Sequence, residues 1–206
     1  MTIRTCTFFL PLFVLMLTGC AAAGNKTAVE PVDGAKTTHQ GTPAVVFVEF
    51  VATPQDVVER MLEVARVTKE DVVCDLGCGD GRIVVTAARR YGCRAIGYDL
   101  DLLRVGEARQ NAAQQGVAPL VTIEQKDVLK ADLGDVSVVT LYMGTELNAR
   151  LIPQLRKLRP GARIVSHEFA IGDLTPDRVI RMTSRSDSRQ HTIYLWTCPL
   201  PNGGAK

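Results

Sequence analysis

The sequence predicts an α/β fold, a mostly parallel sheet with helices on both faces. Three observations carry that prediction. Short β-rich runs alternate with helical patterns from about residue 53 onward. The first run empties into a glycine-rich turn that opens a helix, Asp75-Leu76-Gly77-Cys78-Gly79-Asp80-Gly81-Arg82. Apolar residues make up 46% and charged residues 22% of the 206, ordinary values for a chain with a buried core.

The amino-terminal segment stands outside that fold. Residues 1–19 have one early cation, Arg4, and an apolar run to Leu17 that is too short to span a bilayer. They read as a secretory signal. The run closes on Leu17-Thr18-Gly19-Cys20, which resembles the bacterial lipobox, and the resemblance implies cleavage after Gly19 and a lipid on Cys20. Residues 20–43 are rich in Ala, Gly, Thr and Lys without period and read as a flexible tether. The expected domain is 44–200, with 201–206 a tail. The expected address is lipid-anchored on the exported side of a membrane, or cytoplasmic if the leader is not a signal.

Each later element has its own signal. Ala44–Val51 is apolar and extended, an edge strand or a lid. Thr53-Pro54-Gln55-Asp56 opens a helix, with Thr as cap, Pro in the first turn and Asp at the positive dipole end. Val57, Val58, Met61, Leu62 and Ala65 then keep helical spacing. Strands are expected at Asp71–Leu76, Arg94–Asp99, Leu120–Gln125, Val136–Met143 and Ala162–Phe169, with Arg178–Thr183 and His191–Thr197 as a closing pair. Helices are expected at Arg82–Tyr91, stopped by Gly92, at Leu102–Gln115, stopped by Gly116, and at Glu146–Leu158 despite Pro153.

The glycine turn is the expected ligand loop, because parallel sheets bind ligands at the carboxyl ends of their strands. The dinucleotide fingerprint G-x-G-x-x-G fails here, since Arg82 stands at its third glycine. A diphosphate wants a helix amino end without nearby carboxylate, yet Asp75 and Asp80 flank this one. Two carboxylates suit a ligand with a cationic centre and an amino group, as in S-adenosylmethionine (SAM). Asp99 ends the second strand, 24 residues after Asp75, where a carboxylate can accept ribose hydroxyls. A nicotinamide-linked oxidoreductase is the remote alternative.

Asp75-Leu76-Gly77-Cys78-Gly79-Asp80-Gly81 resembles motif I, D-x-G-x-G-x-G, of the class I, Rossmann-like SAM-dependent methyltransferases. That resemblance implies a seven-stranded sheet and SAM as cofactor. It also implies adenine contacts from Asp127 and the Val128 backbone. Thr53–Leu62, Asp71–Gly77 and Gly81–Ala88 are further similar to bacterial relatives of small mitochondrial protein-lysine methyltransferases. Those enzymes modify ATP synthase subunit c and the adenine nucleotide translocase. The likeness runs from about Phe47 to Phe169. It implies a protein lysine as methyl acceptor and a place for Thr53 in the cofactor site. The type of anchor departs from that group, which leaves a small-molecule acceptor, or a non-catalytic SAM-binding lipoprotein, as alternatives. An exported enzyme lacks an evident supply of SAM, which favours the last.

Nucleic acid is disfavoured as a partner. Lys and Arg total 24 against 22 Asp and Glu, and Thr140-Leu141-Tyr142-Met143-Gly144 stands where nucleic-acid amino-methylases often carry N-P-P-Y/F. Tyr142 is a candidate wall of the acceptor channel, or a floor under SAM. His167 is a candidate proton acceptor at the end of the fifth strand. His191 and His39 invite no role. Arg82, Arg89, Arg90 and Arg94 read as a solvated helix face. Cys74, Cys78, Cys93 and Cys198 read as free thiols, and with no second C-x-x-C-like pair no metal is expected.

Overall fold

The computed structural model describes residues 50–201. The leader, the Cys20 lipobox, the tether and most of the expected strand Ala44–Val51 lie outside the described residues. Phe50 and Val51 themselves are exposed and carry no regular structure.

Among the described residues seven strands form one sheet: β1 (Val72–Leu76), β2 (Arg94–Asp99), β3 (Val121–Gln125), β4 (Val138–Leu141), β5 (Arg163–His167), β6 (Arg178–Thr183) and β7 (Gln190–Thr197). Their order is β3-β2-β1-β4-β5-β7-β6. β1 to β5 run parallel, and only β7 is antiparallel to its neighbours β5 and β6. The expected Rossmann-like sheet is therefore present. The chain reverses its direction of growth between β1 and β4, which opens a crevice there.

Two apolar layers hold the sheet. The helices α1 (Gln55–Val64), α2 (Arg82–Tyr91) and α3 (Leu102–Gln114) pack Val57, Met61, Leu62, Val84 and Ala108 against Val73, Val138, Val165 and Ile193. On the other face α4 (Thr145–Arg150) and α5 (Ile152–Leu155) place Leu147, Leu151 and Leu155 against Cys74, Leu76, Val139, Leu141, Ile164 and Trp196. Successive strand residues thus feed opposite layers, as the period of two demands. β1 is buried along its whole length, the mark of a central parallel strand.

Two local expectations are corrected. The helix expected over Glu146–Leu158 is two short helices meeting at Leu151, because Pro153 has no N–H to offer the carbonyl four residues back. Thr53 does not cap α1. Pro54 is the capping residue and no side chain caps, since the Thr53 hydroxyl bonds His167 instead. Asp56, in the first turn, reaches across to the β6–β7 turn, where Ser184 Oγ and Arg185 N–H donate to it at 2.8 and 2.7 Å.

Candidate active site

The strand register lines up the site. Leu76 pairs with both Tyr98 and Leu141, Leu141 pairs with Ser166, and Asp99 pairs with Gln125. One residue beyond each pairing, Gly77, Asp99, Tyr142 and His167 therefore form one row along the carboxyl ends of the parallel strands. Neighbouring strands lie about 4.8 Å apart, so the row from Asp99 to His167 spans roughly 15 Å.

Gly77, Gly79 and Gly81 all have φ between 53° and 77°. An L side chain resists that left-handed region, so the turn needs glycine. The approach is also close: a Cβ on Gly77 would meet Met143 Sδ at 2.9 Å, and one on Gly81 would meet Ala108 Cβ at 2.8 Å. The Phe50 ring lies directly over Gly79, and the Arg104 guanidinium sits 4.2 Å from that ring's centroid.

The loop's amides are already engaged. Gly77 N and Cys78 N donate to Tyr98 O at 2.8 and 2.9 Å, Gly79 N donates to Asp99 Oδ2 at 2.8 Å, and Arg82 N donates to Asp80 Oδ1 at 3.2 Å. A diphosphate would need these N–H groups turned toward it. What the loop offers is negative charge. Asp75 is buried at the end of β1 and accepts from Thr140 Oγ1 at 2.6 Å. Burial pushes its carboxyl up to about 7, the Thr140 bond opposes this, and the charges of Asp99 and Asp80 add to the rise. A cation beside such a carboxyl shifts it to the ionised form, so the loop fits the cationic end of SAM.

Asp80, the other candidate carboxylate of the loop, is paired within it. Arg82 Nε grips both its oxygens at 2.9 and 3.1 Å, and although burial opposes ionisation, this guanidinium holds the carboxyl below its ordinary range. Arg82 also donates to Thr53 O at 2.7 Å, so it fastens the entry of α1 to the glycine loop rather than lying on a solvated face. Arg90, by contrast, is half-exposed and pairs with Glu59 and Glu63.

Asp99 uses Oδ2 for Gly79 and Oδ1 for the Asp101 N–H, which orients the carboxylate at the row. The end of β3 is tied to it by Lys126 N donating to Asp99 O at 2.8 Å. Asp127 follows and caps a single helical turn begun by Val128, its Oδ1 accepting from Leu129 N at 3.0 Å. Asp75 feels the charges of both Asp99 and Asp80, and Asp127 and Val128 directly follow Lys126, whose N–H is bonded to Asp99 O.

At the other end of the row the rings stack. The Tyr142 ring centroid lies 4.1 Å from that of His167 and 5.9 Å from that of Phe169. His167, the candidate proton acceptor, lies beneath Tyr142. It is fully buried, its Nδ1 meets Thr53 Oγ1 at 3.2 Å, and its Nε2 meets His191 Nδ1 at 2.9 Å. Burial and the neighbouring His191 lower its pKa to about 4. Sequence reasoning passed over His191 and Glu168. The positive φ of Glu168, 61°, is a signal only the structure carries. It also passed over Asn148, whose buried amide donates to Ser166 Oγ and Phe169 O at 3.2 Å and shapes the loop after β5.

Residues 75–178 match the family model described as the ANTKMT methyltransferase domain. Over 154 residues the chain is 41% identical to a protein-lysine N-methyltransferase of Saccharolobus islandicus, covering 74% of this chain and 94% of that protein. It is 34% identical over 164 residues to the adenine nucleotide translocase lysine N-methyltransferase of Mus musculus, covering 78% and 71%. A crystal structure of an RNA methyltransferase from Salinibacter ruber, in complex with S-adenosyl-L-homocysteine, superposes with a TM-score of 0.68. It is 45% identical over 72% of this chain and 94% of that one.

Proposed function

Because this chain belongs to the ANTKMT methyltransferase family, we propose that it methylates a lysine side chain of a protein. The coarser activity is plain: the chain is a SAM-dependent methyltransferase. Bound SAM supplies a methyl group already activated on a sulfonium. The chain's own residues do the holding. Asp75 takes the ammonium, Asp99 the ribose hydroxyls, and the glycine loop admits the ligand close to backbone. Asp127 and the Val128 N–H stand where the family's adenine contacts fall.

The observation that carries the lysine reading is the aromatic wall of Tyr142 and Phe169 at the ends of β4 and β5. A lysine ammonium is attracted to such faces. Held there away from water it gives up its proton more readily, because desolvation disfavours the charged amine. Deprotonation by desolvation needs no buried base. Positioning the free amine in line with an activated methyl then supplies most of the rate.

RNA is the second reading, favoured by the name of the Salinibacter ruber relative. The charge argues against it: the formal net charge is +2, and Arg82, Arg90, Arg104 and Arg163 are all paired with carboxylates. A phosphate backbone would draw on unpaired cations. We also propose that Cys20 carries a lipid, on the lipobox reading alone. Among the described residues no helix is long and apolar enough to cross a membrane.

The test is transfer of label from methyl-tritiated SAM by the full-length chain into a cell extract. The expected label is protease-sensitive and ribonuclease-resistant, and amino-acid analysis finds it in methyl-lysine. Tyr142→Ala is expected to cut transfer at least tenfold while leaving S-adenosylhomocysteine affinity within about threefold. Label in RNA, or SAM binding with no protein labelled, overturns the lysine reading.

A further inference from the structure

At the ends of β5 and β7 three potential electron-pair donors converge. His191 Nε2 lies 3.2 Å from both oxygens of Asp187. A carboxylate only accepts, so this nitrogen carries the ring's proton. In the neutral ring His191 Nδ1 is then a lone pair. It faces His167 Nε2 at 2.9 Å and Glu168 Oε1 at 3.1 Å, and those two atoms are 3.5 Å apart. On the far side His167 Nδ1 reaches Thr53 Oγ1 at 3.2 Å. With a proton on that nitrogen, Nε2 is a lone pair as well.

We propose that His167 Nε2, His191 Nδ1 and Glu168 Oε1 bind a divalent transition-metal ion of the zinc class. The three donor separations bracket the edge of about 3.3 Å that a tetrahedral ion with bonds of about 2.0 Å requires. Two imidazoles and one carboxylate are a known zinc donor set, and three protein donors leave a fourth position for water or a substrate group.

The surroundings fit a ligand set. A metal-bound histidine usually gives its other ring N–H to a fixed acceptor, which sets tautomer and ring orientation. Here His191 has the Asp187 carboxylate and His167 has the Thr53 hydroxyl in those roles. Glu168 is aimed by its own backbone. Its φ of 61° is one that a non-glycine residue adopts at a cost, and it turns the side chain back over β7. The Thr192 N–H donates to Oε1 at 3.2 Å and still leaves it a lone pair. His167 is fully buried and His191 nearly so, while the Glu168 side chain is 31% exposed, which gives the ion its entry from solvent. The ion would join the end of β5, the start of β7 and, through Thr53, the entry of α1. Cys74, Cys78, Cys93 and Cys198 are buried with thiol pKa values raised by that burial, so they compete poorly for the metal.

The full-length chain, stripped with a chelator and dialysed, is titrated with zinc chloride by calorimetry, and its metal content is read by plasma mass spectrometry. One equivalent per chain is expected. His191→Ala and Glu168→Gln each abolish it, and Asp187→Asn weakens it roughly 10- to 100-fold. Cobalt(II) in place of zinc gives the intense visible bands of a four-coordinate ion in the parent and not in His191→Ala. Circular dichroism and melting curves identify any variant that fails to fold, and His191→Gln then replaces His191→Ala. Zinc also raises the melting temperature of the parent and not of the variant. No uptake by the parent overturns the proposal and leaves the cluster a hydrogen-bonded triad. Uptake unaffected by His191→Ala and His191→Gln overturns it equally, since the ion then sits elsewhere.

Discussion

Asp75→Asn separates the stability of the fold from the affinity of its cofactor site, with opposite signs. The carboxyl titrates at about 7 in the folded chain against 3.8 ordinarily. A raised carboxyl pKa works against folding as pH climbs. The group's contribution falls from about pH 4 to about pH 7 and is flat above. The difference of about three units amounts to roughly 4 kcal/mol of strain at pH 8, and roughly 2 kcal/mol at pH 5.5. Asparagine removes that strain and keeps an acceptor for Thr140 Oγ1, but buries an NH2 with no partner, which costs about 1–3 kcal/mol. The variant should therefore gain about 2 kcal/mol on the parent between pH 5.5 and pH 8, and be more stable by about 1–3 kcal/mol at pH 8. Urea denaturation at the two pH values measures this. The same change removes the charged partner of the ligand's ammonium, and S-adenosylhomocysteine affinity should fall roughly 10- to 100-fold. Parent binding at pH 7 should release about half a proton, read from calorimetry in buffers of different ionisation enthalpy, and the variant none. A variant that fails to gain on the parent as pH rises, or that binds ligand within threefold of it, refutes the account of Asp75.

Three further outcomes are expected. Gly81→Ala forces a side chain into φ 76° and against Ala108, and should cost roughly 2–4 kcal/mol in urea denaturation, whereas Gly106→Ala on the exposed face of α3 meets nothing and should gain roughly 0.5–1 kcal/mol. Cys20→Ala should move the protein from the membrane pellet to the soluble fraction on centrifugation, and a variant that still pellets removes the lipid proposal.

The sheet was legible because its signals are local. β-rich runs, glycine stops and the apolar period each act over a few residues, and each strand end came within a few positions. The cofactor loop was legible for the same reason, since Asp75 to Gly81 is a contiguous motif. What escaped depends on partners far away in sequence. Thr53 looks like a cap until His167, 114 residues on, takes its hydroxyl. Asp80 looks open until the side chain of Arg82, a contributor to an apparent basic patch, folds back on it. His191 and Glu168 carry no motif at all, and only the antiparallel pairing of β5 with β7 sets them beside His167. The break in the helix after Gly144 was the exception: its cause, Pro153, stood in plain view, and the leucine spacing outweighed it.

The four buried thiols have a consequence for how the molecule can be watched. Each sits at a different station: Cys74 within β1, Cys78 inside the glycine loop, Cys93 ahead of β2 and Cys198 just past β7. A buried thiol reacts only after its surroundings open, so the described residues carry four clocks of local unfolding that need no engineered label. Cofactor should slow the Cys78 clock while that of Cys198 runs on unchanged, and the difference between them would map how far the order imposed by a ligand spreads across the sheet.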